Sequence, residues 1–309
     1  MTAAQDCFEP VTLTAGKAPL RAATFAPDAA VPRRGVCVLL NGQTEFIEKY
    51  FEVIDELRER GFAVATLDWR GQGGSGRLAP HNPLAAHIDD FAQYDADLDA
   101  LMALVAPMLR PGERPIALAH SMGGHILLRH LSSRPQAFAA AAFSAPMLMF
   151  TTRGAPRWPL RLVCAWMMAS GRAREIVWGM TRRDPLTVTF EQQLVTSDAR
   201  RFQRAKDFLT DHPQLRLGAP TWGWVSAALR SIRRLRRSKV AAQITTPVLI
   251  CGAGNDLICM TADTRRFTAG MPNCRYLEIE GARHEILMER DVFRDQFWTA
   301  FDQFTAALQ

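Results

Sequence analysis

The sequence predicts an α/β fold in which a mostly parallel sheet is flanked by helices and interrupted by a helical insertion. Three observations carry that expectation. Short apolar runs at 35–40, 62–67 and 247–251 are separated by segments with helical spacing, the rhythm of repeated strand, helix, strand units. That rhythm lapses between Met147 and about Thr245, where helical patterns dominate. A further apolar run, Ile116-Ala-Leu-Ala119, stops at His120-Ser121-Met122-Gly123-Gly124 before another helical pattern begins, so a serine stands at the apex of a strand, turn and helix. With 309 residues, 48% of them apolar, the chain has material for one large core. We expect 1–146 and 246–309 to form that core and 147–245 to form a mainly helical cap.

Taken in order, residues 11–26 alternate around Leu13, Leu20 and Phe25 and read as an antiparallel hairpin at a sheet edge. Gly35–Leu40 is a buried strand, followed by the tight connection Asn41-Gly42-Gln43-Thr44-Glu45. Tyr50, Phe51, Ile54 and Leu57 give 46–59 the spacing of an amphipathic helix that stops at Gly61. After the strand 62–67 comes the glycine-rich loop Asp68–Arg77, which lacks the Lys-Ser/Thr ending of a phosphate-binding loop. A long helix is expected over 88–109, then the serine elbow, then a short strand over 138–143. Helices at 161–169, 199–209 and 222–237 fill the insertion, which carries five of the seven tryptophans. Strands at 248–251 and 274–279, a helix over 261–269 and a closing helix from Val292 complete the chain.

Charge is unevenly placed. The segment 147–245 holds 18 Lys and Arg against 6 Asp and Glu, although the whole chain is only +6. A basic body on an acidic one is not the pattern of a uniformly basic nucleic-acid-binding protein, and no nucleic-acid partner is expected. No run reaches the roughly 18–20 apolar residues of a membrane span, and the first ten residues lack a basic-then-apolar leader pattern. The six cysteines have no close ligand spacing and read as reduced thiols, so a cytoplasmic protein is expected. Neither a metal nor a cofactor is expected.

The chemistry concentrates in three residues. A serine hydroxyl needs a base to take its proton, and the base needs an acid to fix its tautomer. Asp256 follows the strand 248–251 in Gly252-Ala-Gly-Asn-Asp256, and His284 follows the strand 274–279 in Gly281-Ala-Arg-His284. Taken singly, Asp256 is equally a turn residue and His284 a loop histidine. Together with Ser121 they all leave the same edge of a parallel sheet, which makes catalytic Ser121, His284 and Asp256 the expectation. His120 and His125 belong to the packed elbow and are expected to be structural. The main-chain N–H groups of Met122 and Gln43 are the candidate oxyanion donors, while Asp68 and Arg70 are expected to brace loops.

At these motifs the chain resembles the α/β-hydrolases, and within them the bacterial lysophospholipase and monoacylglycerol lipase-like group. The resemblance rests on Asn41-Gly-Gln-Thr-Glu45 with Tyr50, Asp68-Trp-Arg-Gly-Gln-Gly-Gly-Ser-Gly76, His120-Ser-Met-Gly-Gly124, Asp256 and Gly281-Ala-Arg-His-Glu285, and covers about 35–305. It implies an α/β-hydrolase fold with a lid at 147–245, Ser121 as nucleophile, His284 as base, Asp256 as its acid, and an oxyanion hole at Gln43 and Met122. Two departures stand out: Asn41 replaces the His found in many relatives, and Ala119 replaces the usual first Gly of the elbow. The implied activity is hydrolysis of single-acyl-chain esters, lysophospholipid or monoacylglycerol, with an apolar tunnel provided by the cap. A carboxylesterase or amidase of small soluble substrates is the alternative, and a non-catalytic binder on the same fold a third reading. The basic run Arg230, Arg233, Arg234, Arg236, Arg237 and Lys239 suggests peripheral contact with anionic lipid at the inner membrane surface, or simply a solvated face.

Overall fold

In the computed structural model, which describes residues 2–79, 81–151, 157–180, 184–237 and 239–308, one eight-stranded sheet carries everything else. Its strands are β1 (Val11–Ala15), β2 (Ala18–Phe25), β3 (Gly35–Leu40), β4 (Phe62–Leu67), β5 (Ile116–His120), β6 (Ala140–Ser144), β7 (Val248–Ala253) and β8 (Cys274–Ile279). They lie in the order β1-β2-β4-β3-β5-β6-β7-β8. Only the β1–β2 and β2–β4 pairings are antiparallel; from β4 to β8 every pairing is parallel. The hairpin therefore sits at the edge expected of it.

The continuous apolar runs are explained by burial on both faces. In β3, Val36, Val38 and Leu40 join one core layer and Cys37 and Leu39 the other. The helices are α1 (Ala3–Asp6), α2 (Phe51–Glu59), α3 (Ala92–Val105), α4 (Ser121–Ser133), α5 (Arg157–Ala169), α6 (Ala199–Asp211), α7 (Trp222–Leu235), α8 (Val240–Gln243), α9 (Thr261–Thr268) and α10 (Asp291–Ala306). Leu98, Leu101 and Val105 of α3 and Ile126 and Leu127 of α4 fill the first layer; Ile54 and Leu57 of α2 and Phe297 and Phe301 of α10 fill the second.

Several boundaries differ from expectation for local reasons. α3 starts at Ala92 rather than 88 because the Asp90 carboxylate accepts the Ala92 N–H. It gives way to a short 3-10 turn at Ala106–Met108, where Pro107 lacks the N–H that would continue the ladder. The expected 46–59 helix opens with a 3-10 turn at Ile47–Tyr50. The strand placed at 138–143 is Ala140–Ser144, with Phe138 buried just ahead of it.

Helices α5, α6 and α7 form the insertion between β6 and β7. Trp222, Trp224 and Ala228 of α7 belong to the main core layer, so this helix is welded to the body. α6 is tied down by Arg201, which donates to Glu52 and to the carbonyl of Glu289. Within 147–245, residues 152–156, 181–183 and 238 lie outside the described residues.

One position shows how tightly the sheet and the elbow are pressed together. A Cβ at Gly123 would stand 2.5 Å from the carbonyl oxygens of both Leu40 and Asn41, which are backbone atoms with nowhere to go. Gly123→Ala should cost about 2 kcal/mol and lower the melting temperature by roughly 3 °C. A variant melting with the native protein would show that α4 does not lie this close to β3.

Candidate active site

Parallel strands end at the same edge, and that edge gathers the predicted residues. Ser121 follows β5 directly, Asp256 lies three residues past β7, and His284 five past β8. Main-chain bonds from Gly254 to Ile279 and from Asn255 to Ala282 hold the Asp256 and His284 loops side by side.

The serine turn is strained. Ser121 has φ +48°, in the left-handed region that side chains avoid, a conformation that costs on the order of 1–3 kcal/mol and persists only where the surroundings impose it. Here β5, the glycines at 123 and 124 and α4 impose it, and the hydroxyl is raised above the strand end at the N-terminus of a thirteen-residue helix.

The three side chains meet. His284 Nε2 lies 2.8 Å from Ser121 Oγ, and His284 Nδ1 lies 2.7 Å from Asp256 Oδ2. The other carboxylate oxygen of Asp256 accepts the N–H groups of Ile258 and Cys259, so it is fully engaged. Burial alone would lower the His284 pKa. The Asp256 carboxylate, with Glu285 and Glu45 behind it, outweighs burial and leaves it above the ordinary imidazole value. Burial likewise works against the Asp256 charge, but His284 and the two backbone donors hold its pKa below the usual range. The arrangement keeps Nδ1–H toward the carboxylate and leaves the Nε2 lone pair for the serine proton.

The other two elbow histidines are neutral and otherwise occupied. Burial depresses the His120 pKa to about 4, and its Nδ1 faces the Ser144 carbonyl. Burial also depresses that of His125, to about 3, and it bridges the Met147 carbonyl and the Ser231 hydroxyl. Arg70 pairs with Asp97, and Asp68 accepts from Arg21 and the N–H groups of Ile47 and Gly74, so both brace loops.

The turn after β3 lies against the serine: a Cβ on Gly42 would come within 3.2 Å of Ser121 Cβ. Among the described residues, no hydrogen bond uses the main-chain N–H of Gln43 or of Met122. Both are thus available to an incoming oxygen. Residue order alone assigns no role to the groups that hold this turn. Glu45 accepts from the Gly42 N–H, the Tyr50 hydroxyl and Lys49. Burial opposes its charge, yet Lys49 and these donors hold its pKa down to about 2. Gln72, from the glycine-rich loop, accepts the Thr44 N–H and donates to the Gly42 carbonyl. Asn41 donates to the Leu67 carbonyl, and its own carbonyl accepts from Trp69, so the departure at this position is absorbed into the neighbouring strand. The i, i+4 spacing of Glu45 and Lys49 was the available signal. Their burial was not legible without the fold.

A cavity of about 690 Å³ opens over the serine, between the sheet edge and the insertion. Ser121 and His284 stand on one side, and Phe150, Leu160, Val177, Phe202 and Val225 supply apolar wall. Of the five tryptophans of the insertion, Trp222 and Trp224 are buried, Trp158, Trp166 and Trp178 are 65%, 52% and 53% exposed, and Trp178 and Trp224 line the cavity. The basic run is partly consumed within the molecule: Arg230 donates to Ser226 and to the Asp89 carbonyl, and Arg236 pairs with Asp263. No helix among the described residues is long and apolar enough to cross a membrane.

Comparison with known proteins agrees with the geometry. Residues 31–291 match the hydrolase family model described as serine aminopeptidase, S33. The chain is 33% identical over 271 residues to lysophospholipase L2 of Escherichia coli (strain K12), covering 84% of this chain and 76% of the relative. It is 28% identical over 280 residues to a probable lysophospholipase L2 of Haemophilus influenzae, covering 90% and 85%. Among solved structures, a soluble variant of the monoglyceride lipase of Saccharomyces cerevisiae superposes with a TM-score of 0.77 at 18% identity, covering 98% of this chain and 96% of that one. The Paleococcus ferrophilus monoacylglycerol lipase does so with a TM-score of 0.70 at 21% identity, covering 93% and 98%. With the fold, the elbow and the family model in agreement, the chain belongs to the α/β-hydrolase family of serine hydrolases.

Proposed function

We propose that the protein hydrolyses carboxylic esters of single-acyl-chain lipids, lysophospholipids or monoacylglycerols, through an acyl-enzyme. The observation that carries this reading is the hydrogen-bonded chain Ser121–His284–Asp256 standing at the wall of an apolar cavity. Its volume falls inside the roughly 300–1,000 Å³ range of small-molecule sites. The names of the bacterial relatives point the same way.

In this mechanism Ser121 Oγ bonds to the ester carbonyl carbon while its proton passes to His284 Nε2. The carbonyl oxygen becomes an oxyanion held by the N–H groups of Gln43 and Met122, each worth about 3 kcal/mol in the transition state. The C–O bond to the alcohol breaks, and Nε2–H protonates the departing oxygen. Water then repeats the sequence, giving its proton to Nε2 and its oxygen to the acyl carbon; the acyl–Oγ bond breaks, Nε2–H returns the proton to Ser121 Oγ, and the fatty acid leaves. Residues 147–245 serve as the cap that walls the acyl chain from solvent. Contact with a lipid surface fits the outer face of α5 better than the basic run, since Trp158, Leu162 and Trp166 recur there at i, i+4 and i+8 and are all more than half exposed.

Esters graded by chain length and head group test the substrate class. Burying more of the acyl chain contributes up to about 0.8 kcal/mol per methylene. From roughly four-carbon to twelve-carbon acyl groups, kcat/KM should therefore rise about tenfold or more, with Ser121→Ala inactive. A preference for short soluble esters or amides would instead favour a carboxylesterase or amidase. The turn makes a second prediction. Glu45→Ala removes the acceptor that fixes Gly42, and should lower kcat about tenfold to a hundredfold with little change in KM, because it disturbs a contact made only in the transition state. An unchanged kcat per mole of folded enzyme, with activity lost only in proportion to folding yield, would mean that Glu45 acts only on stability.

A further inference from the structure

The sequence shows no metal-like cluster, yet the fold builds one. Cys259, His284 and Asp256 each place a ligand atom within 4.8 Å of the others'. Cys259 comes from the loop after β7 and has no part in the hydrolytic steps above. It is 3% exposed, His284 is 4% exposed, and both line the cavity, which gives an ion a path to them.

We propose that these three side chains form a binding site for a thiophilic divalent cation of the zinc type, and that occupancy switches the hydrolase off. The donor set selects the ion. One thiolate, one imidazole and one carboxylate match zinc, whereas calcium and magnesium want several oxygens. Ligands around tetrahedral zinc stand about 3.5 Å apart, so to hold an ion His284 Nδ1 and Asp256 Oδ2 must open from 2.7 Å while the Cys259 sulfur, within 4.8 Å of a ligand atom on each, turns toward them. Water takes the fourth position, because the Ser121 hydroxyl lies on the Nε2 side of the ring.

Loss of activity follows from the imidazole's single lone pair. On binding, the Cys259 S–H bond breaks and its proton goes to solvent, leaving the thiolate on the metal. An ion shared with Asp256 takes His284 Nδ1, since Nε2 points the other way, at Ser121. The ring proton then moves to Nε2 and faces Ser121 as a donor. The base is gone, and no bond to substrate is needed. The switch-off rests on the esterase reading; binding itself does not.

Two measurements on the full chain separate those claims. Cobalt(II), titrated as a spectroscopic stand-in, should produce a thiolate-to-cobalt charge-transfer band in the near ultraviolet, absent in Cys259→Ser of native-like circular dichroism and melting. Zinc should inhibit ester hydrolysis reversibly, with activity restored by a chelator, and Cys259→Ser should need about tenfold or more zinc for the same fractional loss of its own rate. No band in the native protein overturns the site, as does a band that persists in Cys259→Ser, which would belong to another thiol such as the exposed Cys7. Equal zinc sensitivity of the two proteins overturns the switch. Should the protein hydrolyse no ester at all, the cobalt band still decides whether the cation binds.

Discussion

A single buried hydrogen bond, from Ser121 to His284 Nε2, joins residues 163 positions apart and is the contact around which the molecule is arranged. It exists because strands β5, β7 and β8 run in the same direction and deliver their loops to one edge. Its strength depends on its burial, since low dielectric strengthens a satisfied bond and penalises an unsatisfied one. Asp256 keeps the imidazole in the tautomer that can use the bond. The strained φ of Ser121 is a local cost of holding the hydroxyl where the ring can reach it.

Beneath that contact lies a second buried layer that is charged. Lys49 is gripped between Glu45 and Glu285, and it couples the turn after β3 to the loop that bears His284. Removing one member of such a group strands the others without compensation, which is why buried ion pairs are sensitive to single deletions. Glu45 also fixes Gly42, and Gln72 holds the same turn from the other side. The turn that carries the Gln43 N–H, proposed above as an oxyanion donor, is thus held by Glu45 and Gln72, and the glycine-rich loop is support for that turn rather than a phosphate cradle.

Much of this was legible in the residue order. Apolar runs separated by helical spacing revealed the parallel sheet, and the loop positions of Ser121, Asp256 and His284 brought them to one rim. Local periodicity also located the hairpin and the helices of the insertion. What it did not reveal depends on contacts between distant segments. Lys49 reads as an ordinary surface residue until Glu285 arrives from 236 positions away. Trp158 and Trp222 have the same side chain, and only the packing of α5 and α7 decides that the first is exposed and the second buried. Cys259 reads as an inert thiol by spacing, and becomes a neighbour of His284 only when β7 and β8 pair.

The central claim is that His284, raised in pKa by Asp256, is the base for Ser121. Its most direct test is the pH dependence of fluorophosphonate labelling, with the modified residue identified by mass spectrometry. Only neutral imidazole can accept the proton, so labelling should fall as pH drops through an apparent pKa above about 6.5. It should occur at Ser121 alone and nearly vanish in His284→Gln. Labelling elsewhere, labelling indifferent to pH, or folded protein that does not react would contradict the account.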